Sequence, residues 1–227
     1  MSEEKALVLL SGGQDSTTAL YWALQSFGTV EAVSFDYGQR HVCELDAARA
    51  IAAAAGVAWH LIEAGNLSLL SRSALLAGQE GPTGTAHPDH ENLPASFVPF
   101  RNLNFLLLGA AWSHLRGFRH LVLGVGEADY SGYPDCRDDF VKAAQVALNL
   151  ALGSPRTGLV LHTPLMWLDK AAIFGLARDL GVLDRVLTET RTCYLGGDAV
   201  HEWGRGCGEC PACLLRRDGY RRFREQL

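Results

Sequence analysis

The sequence predicts an α/β protein in which helices cover both faces of a parallel β-sheet, followed by a small cysteine-rich module. Three observations support this prediction. Short, continuously apolar segments alternate with segments of helical periodicity over most of the chain, as expected of buried strands joined by crossover helices. A glycine-rich turn at residues 11–16 separates the first apolar segment from the first helix. Four of the six cysteines lie between Cys193 and Cys213.

The predicted strands and helices follow one another in a regular order. Residues 6–10 form a strand that is apolar throughout, and residues 17–26 form a helix. Gly56 and Gly181 each end a later helix, because glycine adopts the left-handed conformation of a helix end without steric cost. The remaining strands are predicted at 30–35, 57–62, 120–125 and 159–162. The remaining helices are predicted at 44–55, 102–116, 137–152 and 168–180.

Residues 65–99 interrupt this order with many glycines and prolines and with little periodicity. A stretch of this length without regular structure is usually a lid, a binding loop or a disordered segment. His87, His90 and Glu91 within it have side chains that suit a metal site. A solvated part of a lid is the favoured interpretation of this group, because the group lies in a loop.

The residues after Thr190 form a separate unit. We expect an α/β domain at residues 1–190 and a metal-binding tail at residues 191–227. The tail ends in a segment that combines arginines with Tyr220 and Phe223, and contact with RNA is one interpretation. The favoured interpretation is a helix whose cations suit its dipole and whose apolar side chains pack inward. The arginines are Arg216, Arg217, Arg221, Arg222 and Arg224, and the apolar side chains include Leu214 and Leu215.

The composition excludes several classes of protein. With 227 residues, 48% of them hydrophobic and 20% charged, the chain is long enough to bury a sizeable core. The net charge of -5 argues against a protein built mainly to bind nucleic acid. The apolar run at residues 6–10 is too short for a membrane span or a signal peptide. We therefore expect a cytoplasmic protein without a membrane partner or a direct nucleic-acid partner.

The turn at residues 11–16, with the sequence SGGQDS, has the properties of an anion-binding site. Gly12 and Gly13 let the backbone turn tightly and approach a ligand closely. The turn leads into a helix N-terminus, whose free N–H groups and dipole favour a phosphate. It lacks the lysine of the common nucleotide-binding loop and the glycine spacing of a dinucleotide-binding loop. A nucleotide phosphate site of a different kind is therefore predicted.

The SGGQDS turn resembles the loop of the ATP pyrophosphatase superfamily. The resemblance implies that ATP is cleaved between its α- and β-phosphates and that AMP is placed on a substrate oxygen. The Ser11 and Ser16 hydroxyls and the amides of Gly12 and Gly13 would then hold the departing pyrophosphate. Asp15 would repel a triphosphate unless a cation intervened, so we expect it to bind the Mg²⁺ that accompanies ATP.

The spacing of Cys207, Cys210 and Cys213 is typical of a metal site in a reducing compartment. Tetrahedral Zn²⁺ needs a fourth ligand, and Cys193 is the favoured candidate because its soft thiolate matches the other three. A site closed by four cysteines predicts one structural Zn²⁺ per chain, and an iron–sulfur cluster is the alternative. The competing fourth ligands are His201 and Asp198.

Further stretches extend the resemblance to one branch of this superfamily. They are residues 11–18 (SGGQDSTT), 35–41 (FDYGQRH), 97–99 (FVP), 101–102 (RN), 129–137 (DYSGYPDCR), 163–167 (TPLMW), 169–170 (DK) and 192–194 (TCY), with the C-terminal cysteines. Over essentially its whole length, the chain resembles the 7-cyano-7-deazaguanine synthase family of queuosine biosynthesis. The resemblance implies a Rossmann-like fold of the adenine nucleotide α-hydrolase type. It also implies ATP-dependent conversion of 7-carboxy-7-deazaguanine and ammonia to the nitrile, through an adenylated carboxylate and an amide.

The resemblance assigns roles to individual residues. The expected catalytic residues are Asp15, Ser16, Arg101 and Lys170, of which the last two would neutralise phosphate or the substrate carboxylate. The expected ATP-binding residues are Leu10, Ser11, Gly12, Gly13, Gln14, Asp15, Ser16, Thr17, Thr18, Ala19 and Leu20. The expected substrate-binding residues are Gln39, Asp129, Ser131, Tyr133, Asp135 and Arg137, because carboxylates suit guanine-like N–H donors and arginine suits a carboxylate. A homodimer is also implied, with the zinc-binding tail as the expected contact.

Two features depart from the family pattern. Phe100 stands where the family usually has glycine, and we expect its bulky side chain to reshape the pocket wall. Residues 195–206 make the spacing between the first two zinc cysteines longer than is usual, which is interpreted as an insertion into a surface loop. The expected nitrogen source is free ammonia, because Ser2 offers no N-terminal cysteine nucleophile and no separate glutaminase segment is recognised.

Two other functions compete with this interpretation. An enzyme that thiolates tRNA with the same ATP loop would need a reactive cysteine pair outside the zinc set, where only Cys43 and Cys136 are available. A non-enzymatic nucleotide-binding module with a zinc clip would bind ATP without releasing pyrophosphate. Such a module would have little use for the stretch at residues 129–137.

Overall fold

The computed structural model describes residues 2–40, 42–79, 83–127, 132–153 and 158–227. The strands in these residues are β1 (Ser2–Leu9), β2 (Phe27–Asp36), β3 (Ala58–Glu63), β4 (Ala86–His87), β5 (His90–Pro94), β6 (His120–Val122), β7 (Val160–His162), β8 (Val200–His201) and β9 (Gly204–Arg205). The α-helices are α1 (Gln14–Ser26), α2 (Cys43–Ala54), α3 (Arg101–Arg116), α4 (Asp138–Ala151), α5 (Lys170–Asp179), α6 (Leu183–Glu189) and α7 (Pro211–Glu225). Within these ranges, each helix is too short or too polar to cross a lipid bilayer.

One parallel sheet contains β1, β2, β3, β6 and β7, in the order β3-β2-β1-β6-β7. Ala6 of β1 is paired with Val30 of β2 on one side and with His120 of β6 on the other. The strand order therefore reverses between β1 and β6, and ligands of such sheets bind beyond the carboxyl ends of the strands at this reversal. The predicted fold class is confirmed.

Side chains of β1 alternate between the two faces of the sheet. Ala6 and Val8 contribute to a core beneath α1 and α2, whereas Leu7 contributes to a core beneath α3 and α4. All three side chains are fully buried, and burial of a side chain the size of Leu7 contributes ~1.5–3 kcal/mol. A strand that is covered on both faces needs a continuous apolar segment, and this explains the sequence pattern that predicted it.

The described part of residues 65–99 has more regular structure than its composition predicts. β4 and β5 form an antiparallel hairpin, and Leu76 and Val98 pack with Tyr37. His87 is buried, so it is not part of a solvated lid, and its ring lies 5.1 Å from that of His90. Within the part of the chain that the structure describes, these histidines belong to no group of potential metal ligands.

The tail packs on the α/β core through its last helix. Tyr220 and Phe223 of α7 contact Phe174 of α5, with ring centroids 5.3 and 5.9 Å away. The predicted inward packing of these two aromatic residues is confirmed, whereas Leu214 is exposed. Helices α5, α6 and α7 share one hydrophobic cluster, so the tail is continuous with the core. The division into domains at residue 190 stays a prediction.

Arg216 differs from the other arginines of α7 because its side chain is fully buried. Its Nε donates to the Trp203 carbonyl at 2.9 Å, its Nη1 to Thr192 Oγ1 at 3.1 Å, and its Nη2 to the Val186 carbonyl at 2.7 Å. Burial lowers its pKa to about 10, so the guanidinium keeps its charge at neutral pH. It was predicted together with the cations that suit the helix dipole, but the structure gives it a different role, because it cross-links the tail to α6 and to the segment that follows α6.

Candidate active site

A cleft of about 290 Å³ opens where the strand order reverses. Its lining combines apolar side chains, such as Leu9, Phe35 and Phe105, with polar and charged ones. The charged side chains are Asp15, Glu44, Arg101, Lys170 and Arg191. All four predicted catalytic residues, Asp15, Ser16, Arg101 and Lys170, therefore lie around one cavity.

The glycine-rich turn connects β1 to α1 at the edge of this cleft. The Ser11 N–H donates to Ser16 Oγ at 3.1 Å, and the two hydroxyl oxygens lie 3.0 Å apart. Gly12 has a φ of +82°, and a Cβ there would lie 2.3 Å from the carbonyl oxygen of Glu44. Glycine is required at this position because any side chain would displace α2. The turn presents backbone N–H groups at the N-terminus of α1, as a phosphate site requires.

Gly124 brings a second loop against the same turn. It follows β6, and a Cβ there would lie 2.6 Å from the backbone nitrogen of Ser16. The missing side chain lets the end of β6 pack on the first turn of α1 and close one side of the cleft. The sequence prediction placed Gly124 inside a strand and gave it no role. Two glycines that closely follow a buried strand, Gly124 and Gly126, were the signal that could have identified it.

Lys170 and Asp15 form an ion pair inside the cleft, with 2.6 Å between Nζ and Oδ2. Lys170 is buried, and a Cβ at Gly219 of α7 would lie 2.3 Å from the lysine Cβ, so the tail packs directly behind it. The second carboxylate oxygen of Asp15, Oδ1, is buried and has no hydrogen-bond partner among the described residues. This oxygen suits a hard cation such as Mg²⁺.

Gln14 is almost fully buried and lines the cleft. Neither atom of its side-chain amide has a hydrogen-bond partner within the described part of the protein. An unsatisfied buried polar group costs ~1–3 kcal/mol. A ligand in the cleft that both accepts and donates hydrogen bonds would remove this cost.

The predicted ATP-binding segment divides into two parts. Leu10, Ser11, Gly13, Gln14, Asp15 and Ser16 line the cleft. Thr17, Thr18, Ala19 and Leu20 are buried within α1 and hold the turn against the sheet. Their assignment to ATP binding stays a prediction, and the geometry gives them a supporting position behind the turn.

Arg101 is the first residue of α3 and points its guanidinium over the ring of Tyr133, 5.6 Å from the ring centroid. Burial works against its charge, but the electrostatic effects of Tyr37, Tyr133 and Asp135 outweigh burial and hold the pKa of Arg101 above its ordinary value. Its Nε is buried without a hydrogen-bond partner among the described residues. A permanent cation therefore lines the cleft, as anion binding requires.

Glu44, on the first turn of α2, also lines the cleft. Burial raises the pKa of its carboxyl to about 7, although Arg101 acts in the opposite direction. From the sequence, Glu44 was predicted only as part of a helix. The signal that could have identified it is its position shortly after the FDYGQRH stretch that ends β2.

Arg191 and Thr192 connect the phosphate turn to the tail. The Arg191 N–H donates to the Gly12 carbonyl at 2.9 Å, and the Gln14 N–H donates to Thr192 Oγ1 at 3.4 Å. The next residue, Cys193, belongs to the cysteine cluster. The turn is therefore held from both sides, and neither anchoring residue was identified from the sequence.

The predicted substrate-binding residues are spread over several environments. Tyr133 and Gln39 line the cleft, although the Gln39 amide accepts from the Tyr37 N–H at 2.9 Å and so also supports the loop after β2. Asp135 is buried behind the cleft and accepts from the Asn102 N–H at 3.1 Å. Arg137 is exposed and is not part of the lining. Asp129 and Ser131 lie outside the described residues.

Phe100 adopts a left-handed conformation, with φ 60° and ψ 11°, directly before α3. It is the one non-glycine residue with positive φ in the described segments. The conformation explains why glycine suits this position in the resembling family. Its side chain is 73% exposed and is absent from the cleft lining, so the expected reshaping of the pocket wall is not observed.

The structure brings the four predicted cysteines together at the start of α7. The sulfur atoms of Cys193, Cys207, Cys210 and Cys213 all lie within 4.8 Å of one another. A tetrahedral ion bound at about 2.3 Å separates its sulfur ligands by about 3.8 Å, and the Cys207 and Cys213 sulfurs are 3.9 Å apart. The set therefore fits one Zn²⁺, whereas a cluster of several irons needs a wider arrangement of thiolates.

The surroundings of the cysteines also suit thiolate ligands. The Gly197 N–H donates to Cys193 Sγ and the Cys210 N–H to Cys207 Sγ, both at 3.2 Å. The competing ligands are used elsewhere: His201 stacks on Trp203 at 4.3 Å, and Asp198 forms ion pairs with Arg191 and Arg205.

The fold and the cleft together define the class of the protein, which is an α/β nucleotide-binding protein of the ATP pyrophosphatase type. A family model gives the particular family, because the model described as "Queuosine biosynthesis protein QueC" matches residues 5–224. The chain belongs to the QueC family, and the resemblance found in the sequence is confirmed.

Curated relatives agree with the family model. The 7-cyano-7-deazaguanine synthase of Halorhodospira halophila is 52% identical over 237 residues, which cover 98% of this chain and 92% of that protein. The protein of the same name from Wolinella succinogenes is 46% identical over 229 residues, which cover 100% of this chain and 97% of that protein.

Solved structures are more distant. The NH3-dependent NAD synthetase of Campylobacter jejuni is 17% identical with a TM-score of 0.44, over 82% of this chain and 69% of that chain. A 4-thiouridine synthetase in complex with RNA and ATP is 18% identical with a TM-score of 0.49, over 98% of this chain and 50% of that chain.

Proposed function

We propose that this protein is an ATP-dependent 7-cyano-7-deazaguanine synthase, which converts 7-carboxy-7-deazaguanine and ammonia to the nitrile preQ0 in queuosine biosynthesis. The observation that supports the proposal most directly is the convergence of the SGGQDS turn, the Lys170–Asp15 pair and Arg101 on one cleft of a QueC-family chain. The substrates are small molecules, and the reaction is that of a carbon–nitrogen ligase.

The first step makes the carboxylate reactive. A carboxylate oxygen of the substrate attacks the α-phosphorus of ATP, the bond to the α,β-bridging oxygen breaks, and pyrophosphate leaves with the electron pair. The N–H groups of the turn and the α1 N-terminus stabilise the departing charge. Lys170 and Arg101 neutralise phosphate or the substrate carboxylate, and Asp15 Oδ1 would hold the Mg²⁺ that accompanies ATP.

The second and third steps form the nitrile. Ammonia forms a bond to the acyl carbon, and AMP leaves with the oxygen it had activated. The amide oxygen then attacks the α-phosphorus of a second ATP, and pyrophosphate leaves. AMP departs with that oxygen as the nitrogen loses its two protons, which gives the C≡N bond. Carboxylate and amide oxygens are poor leaving groups, so the protein mainly positions reactants and stabilises phosphate charge.

We place the deazaguanine ring of the substrate on the side of the cleft that Tyr133 lines. Its ring lines the cleft and is fixed by a hydrogen bond from its hydroxyl to Ser96 Oγ at 2.7 Å. This rigid aromatic face supports stacking on the deazaguanine ring. Gln39, Asp129, Ser131, Asp135 and Arg137 complete the proposed substrate-binding set.

Zn²⁺ has a structural role in this proposal. Cys193, Cys207, Cys210 and Cys213 would hold it with no coordination position left for a substrate. Bound there, it fixes the segment around Arg191 and Thr192 that supports the phosphate turn.

Cytoplasmic location and a homodimer are also proposed, without a direct nucleic-acid partner. Exposed apolar side chains follow one another at helical spacing on α3 and recur on α4, which supports a contact between copies of the chain in addition to the expected contact through the tail. These side chains are Leu103, Leu107, Leu115, Val146 and Leu150. Light scattering after size-exclusion chromatography measures the oligomeric state. The mass of a monomer at micromolar protein concentration would contradict the proposed homodimer.

tRNA thiolation is not favoured. A thiolating cysteine needs a readily formed thiolate, and burial together with Glu44 raises the pKa of Cys43. Cys136 Sγ accepts a hydrogen bond from the side-chain amide of Asn102 at 3.3 Å. The same amide donates to the Asp135 carbonyl, so Cys136 is part of the packing around Asp135.

The test is a time-resolved mass-spectrometric assay with ATP, Mg²⁺, an ammonium salt and 7-carboxy-7-deazaguanine. We expect the amide to appear first and the nitrile second, both dependent on ammonium. Asp15→Ala should abolish both products, whereas the matched control Asp139→Ala, at an exposed position on α4, should leave them unchanged. If ATP is consumed only when tRNA and a sulfur donor are present, and 7-carboxy-7-deazaguanine is not converted, the proposed function is wrong and tRNA thiolation takes its place.

A further inference from the structure

Among the residues that the structure describes, two carboxylates line the cleft, those of Asp15 and Glu44. Asp15 is bound to Lys170 at 2.6 Å. Glu44 has no hydrogen bond or ion pair among the described residues, and Arg101 acts on it only through longer-range electrostatics. Its role is therefore not explained by the internal contacts of the fold.

The position of Glu44 is fixed by the phosphate turn. The absence of a side chain at Gly12 lets the turn pack against the Glu44 carbonyl, where a Cβ would come within 2.3 Å. Glu44 lies on the first turn of α2, whose residues Leu45, Ala47 and Ala48 are buried. The backbone that carries this carboxylate is thus held rigidly beside the place where the phosphates of ATP are activated.

The proposed reaction needs a group in the cleft that accepts protons. Lys170, Arg101 and Arg191 are cations and cannot accept one at neutral pH. Asp15 is committed to Lys170 and to the metal ion of ATP. Glu44 is the remaining carboxylate of the described lining, and no donor among the described residues uses the lone pairs of its oxygens.

We propose that the Glu44 carboxylate is the general base that accepts the proton lost by ammonia when it attacks the acyl-adenylate. This inference rests on the proposed function. In the step, the ammonia nitrogen forms a bond to the acyl carbon and one of its N–H bonds breaks, with the proton passing to Glu44. The acyl C–O bond to AMP breaks, and AMP leaves with the electron pair. The products are the amide, AMP and the protonated Glu44, which returns its proton to water.

The electrostatics of the cleft are consistent with this role. The groups that act on Glu44 are Arg101 of α3, which favours the ionised form, and Cys193, which opposes it. Tyr37 and Cys43 also interact with it. With a pKa of about 7, the carboxyl can both take and release a proton at neutral pH, as an efficient general base requires.

The experiment compares Glu44→Gln with Glu44→Asp and with the control Asp46→Asn, an exposed carboxylate on the same helix. Pyrophosphate released in a single turnover without ammonium reports adenylation, and mass spectrometry at saturating ammonium reports the amide. We expect Glu44→Gln to adenylate within about twofold of wild type but to form the amide about 100-fold more slowly. Additional ammonium should not restore the rate, and Glu44→Asp should recover part of it.

The pH profile supplies a readout that a purely structural role would not change. The wild-type rate of amide formation should rise through about pH 7 as Glu44 ionises, and this limb should disappear in Glu44→Gln. Amide formation at the wild-type rate in Glu44→Gln would overturn the inference, as would an equal loss of adenylation. If the wild-type protein forms no amide from 7-carboxy-7-deazaguanine, the proposed function itself fails.

Discussion

Arg216 donates a hydrogen bond to the Thr192 hydroxyl at 3.1 Å, and the same hydroxyl accepts the backbone N–H of Gln14 at 3.4 Å. One oxygen atom therefore links the buried arginine of the last helix to the first turn of α1. Since Cys193 follows Thr192 in the chain, the cysteine cluster and the phosphate turn are connected through a few bonds.

Thr192→Val should weaken ATP binding while leaving the metal in place. The substitution keeps the shape of the side chain and removes the acceptor of two hydrogen bonds, each worth ~1 kcal/mol. We expect the Kd for ATP, measured by calorimetry, to rise roughly 5–30-fold, with unchanged zinc content by atomic absorption. Thr188→Val, at an exposed position on α6, is the control. An unchanged Kd would show that this oxygen does not support the turn.

Removal of zinc should affect the same site. Chelation, or Cys213→Ser, is expected to lower the Tm and weaken ATP binding together, because the metal fixes the segment that contacts Gly12 and Gln14. Thermal unfolding and nucleotide titration on the same samples measure both effects. A lower Tm with an unchanged affinity for ATP would show that the tail does not support the nucleotide site.

Lys170→Gln should reduce the rate of adenylation by about 100-fold or more, since a charge that stabilises phosphate is removed from a buried site. Lys142→Gln is the matched control, because Lys142 is an exposed lysine on α4. Pyrophosphate release measures the rate, and circular dichroism verifies folding. Equal rates in the two variants would assign Lys170 a structural role only.

Phe100→Gly should stabilise the protein by about 1 kcal/mol, because glycine adopts positive φ without the steric cost that a side chain pays. Little apolar burial is lost, since the Phe100 ring is largely exposed. Phe100→Ala removes the ring but not the strain, so it should show no comparable gain in urea unfolding. Equal stabilities of the two variants would contradict the strain at this position.

Protonation of His162 should destabilise the fold in mild acid. Burial, with the nearby His120 ring, lowers the pKa of His162 from its ordinary value of 6.5. The unfolded chain then binds the proton more readily, so stability is lost as pH falls below about 6.5. In His162→Gln, which keeps a polar side chain beside His120, this contribution to the pH dependence should be absent. Chemical unfolding between pH 5 and pH 8 measures the difference.

Much of the sheet could be predicted from the sequence because its central strand, β1, is buried on both faces and is therefore continuously apolar. Residues 57–62 coincide closely with β3, whereas residues 30–35 lie within β2, which begins earlier, at Phe27. Short apolar segments bounded by turns favour strands, but they do not fix where a strand begins. α6 was missed because Leu183–Glu189 is short and lies directly after the glycine that ends α5. The β4–β5 hairpin was missed because its strands are short and because the contacts of His87 and His90 with Phe97 are tertiary, which local sequence does not reveal.

Site residues were predicted from the sequence where a local motif contains them. They were missed where their role depends on contacts with distant parts of the chain. The SGGQDS turn and the cysteine spacing are readable as motifs. Arg216 looks like a surface arginine in sequence, and only the fold shows that three carbonyl or hydroxyl oxygens surround it. Glu44 follows the FDYGQRH stretch and Thr192 belongs to the TCY stretch, but their contacts with the phosphate turn depend on packing between distant segments, which no local pattern encodes.

The hydrogen bond between Gln14 and Thr192 joins two residues that are 178 positions apart in the sequence. A ribosome adds about 5–20 residues per second, so the phosphate turn leaves it about 10–35 seconds before its anchor does. During synthesis the sheet can begin to assemble, but the nucleotide site cannot be completed. A chain that terminated before Thr192 would therefore carry the phosphate turn without the hydroxyl that anchors it.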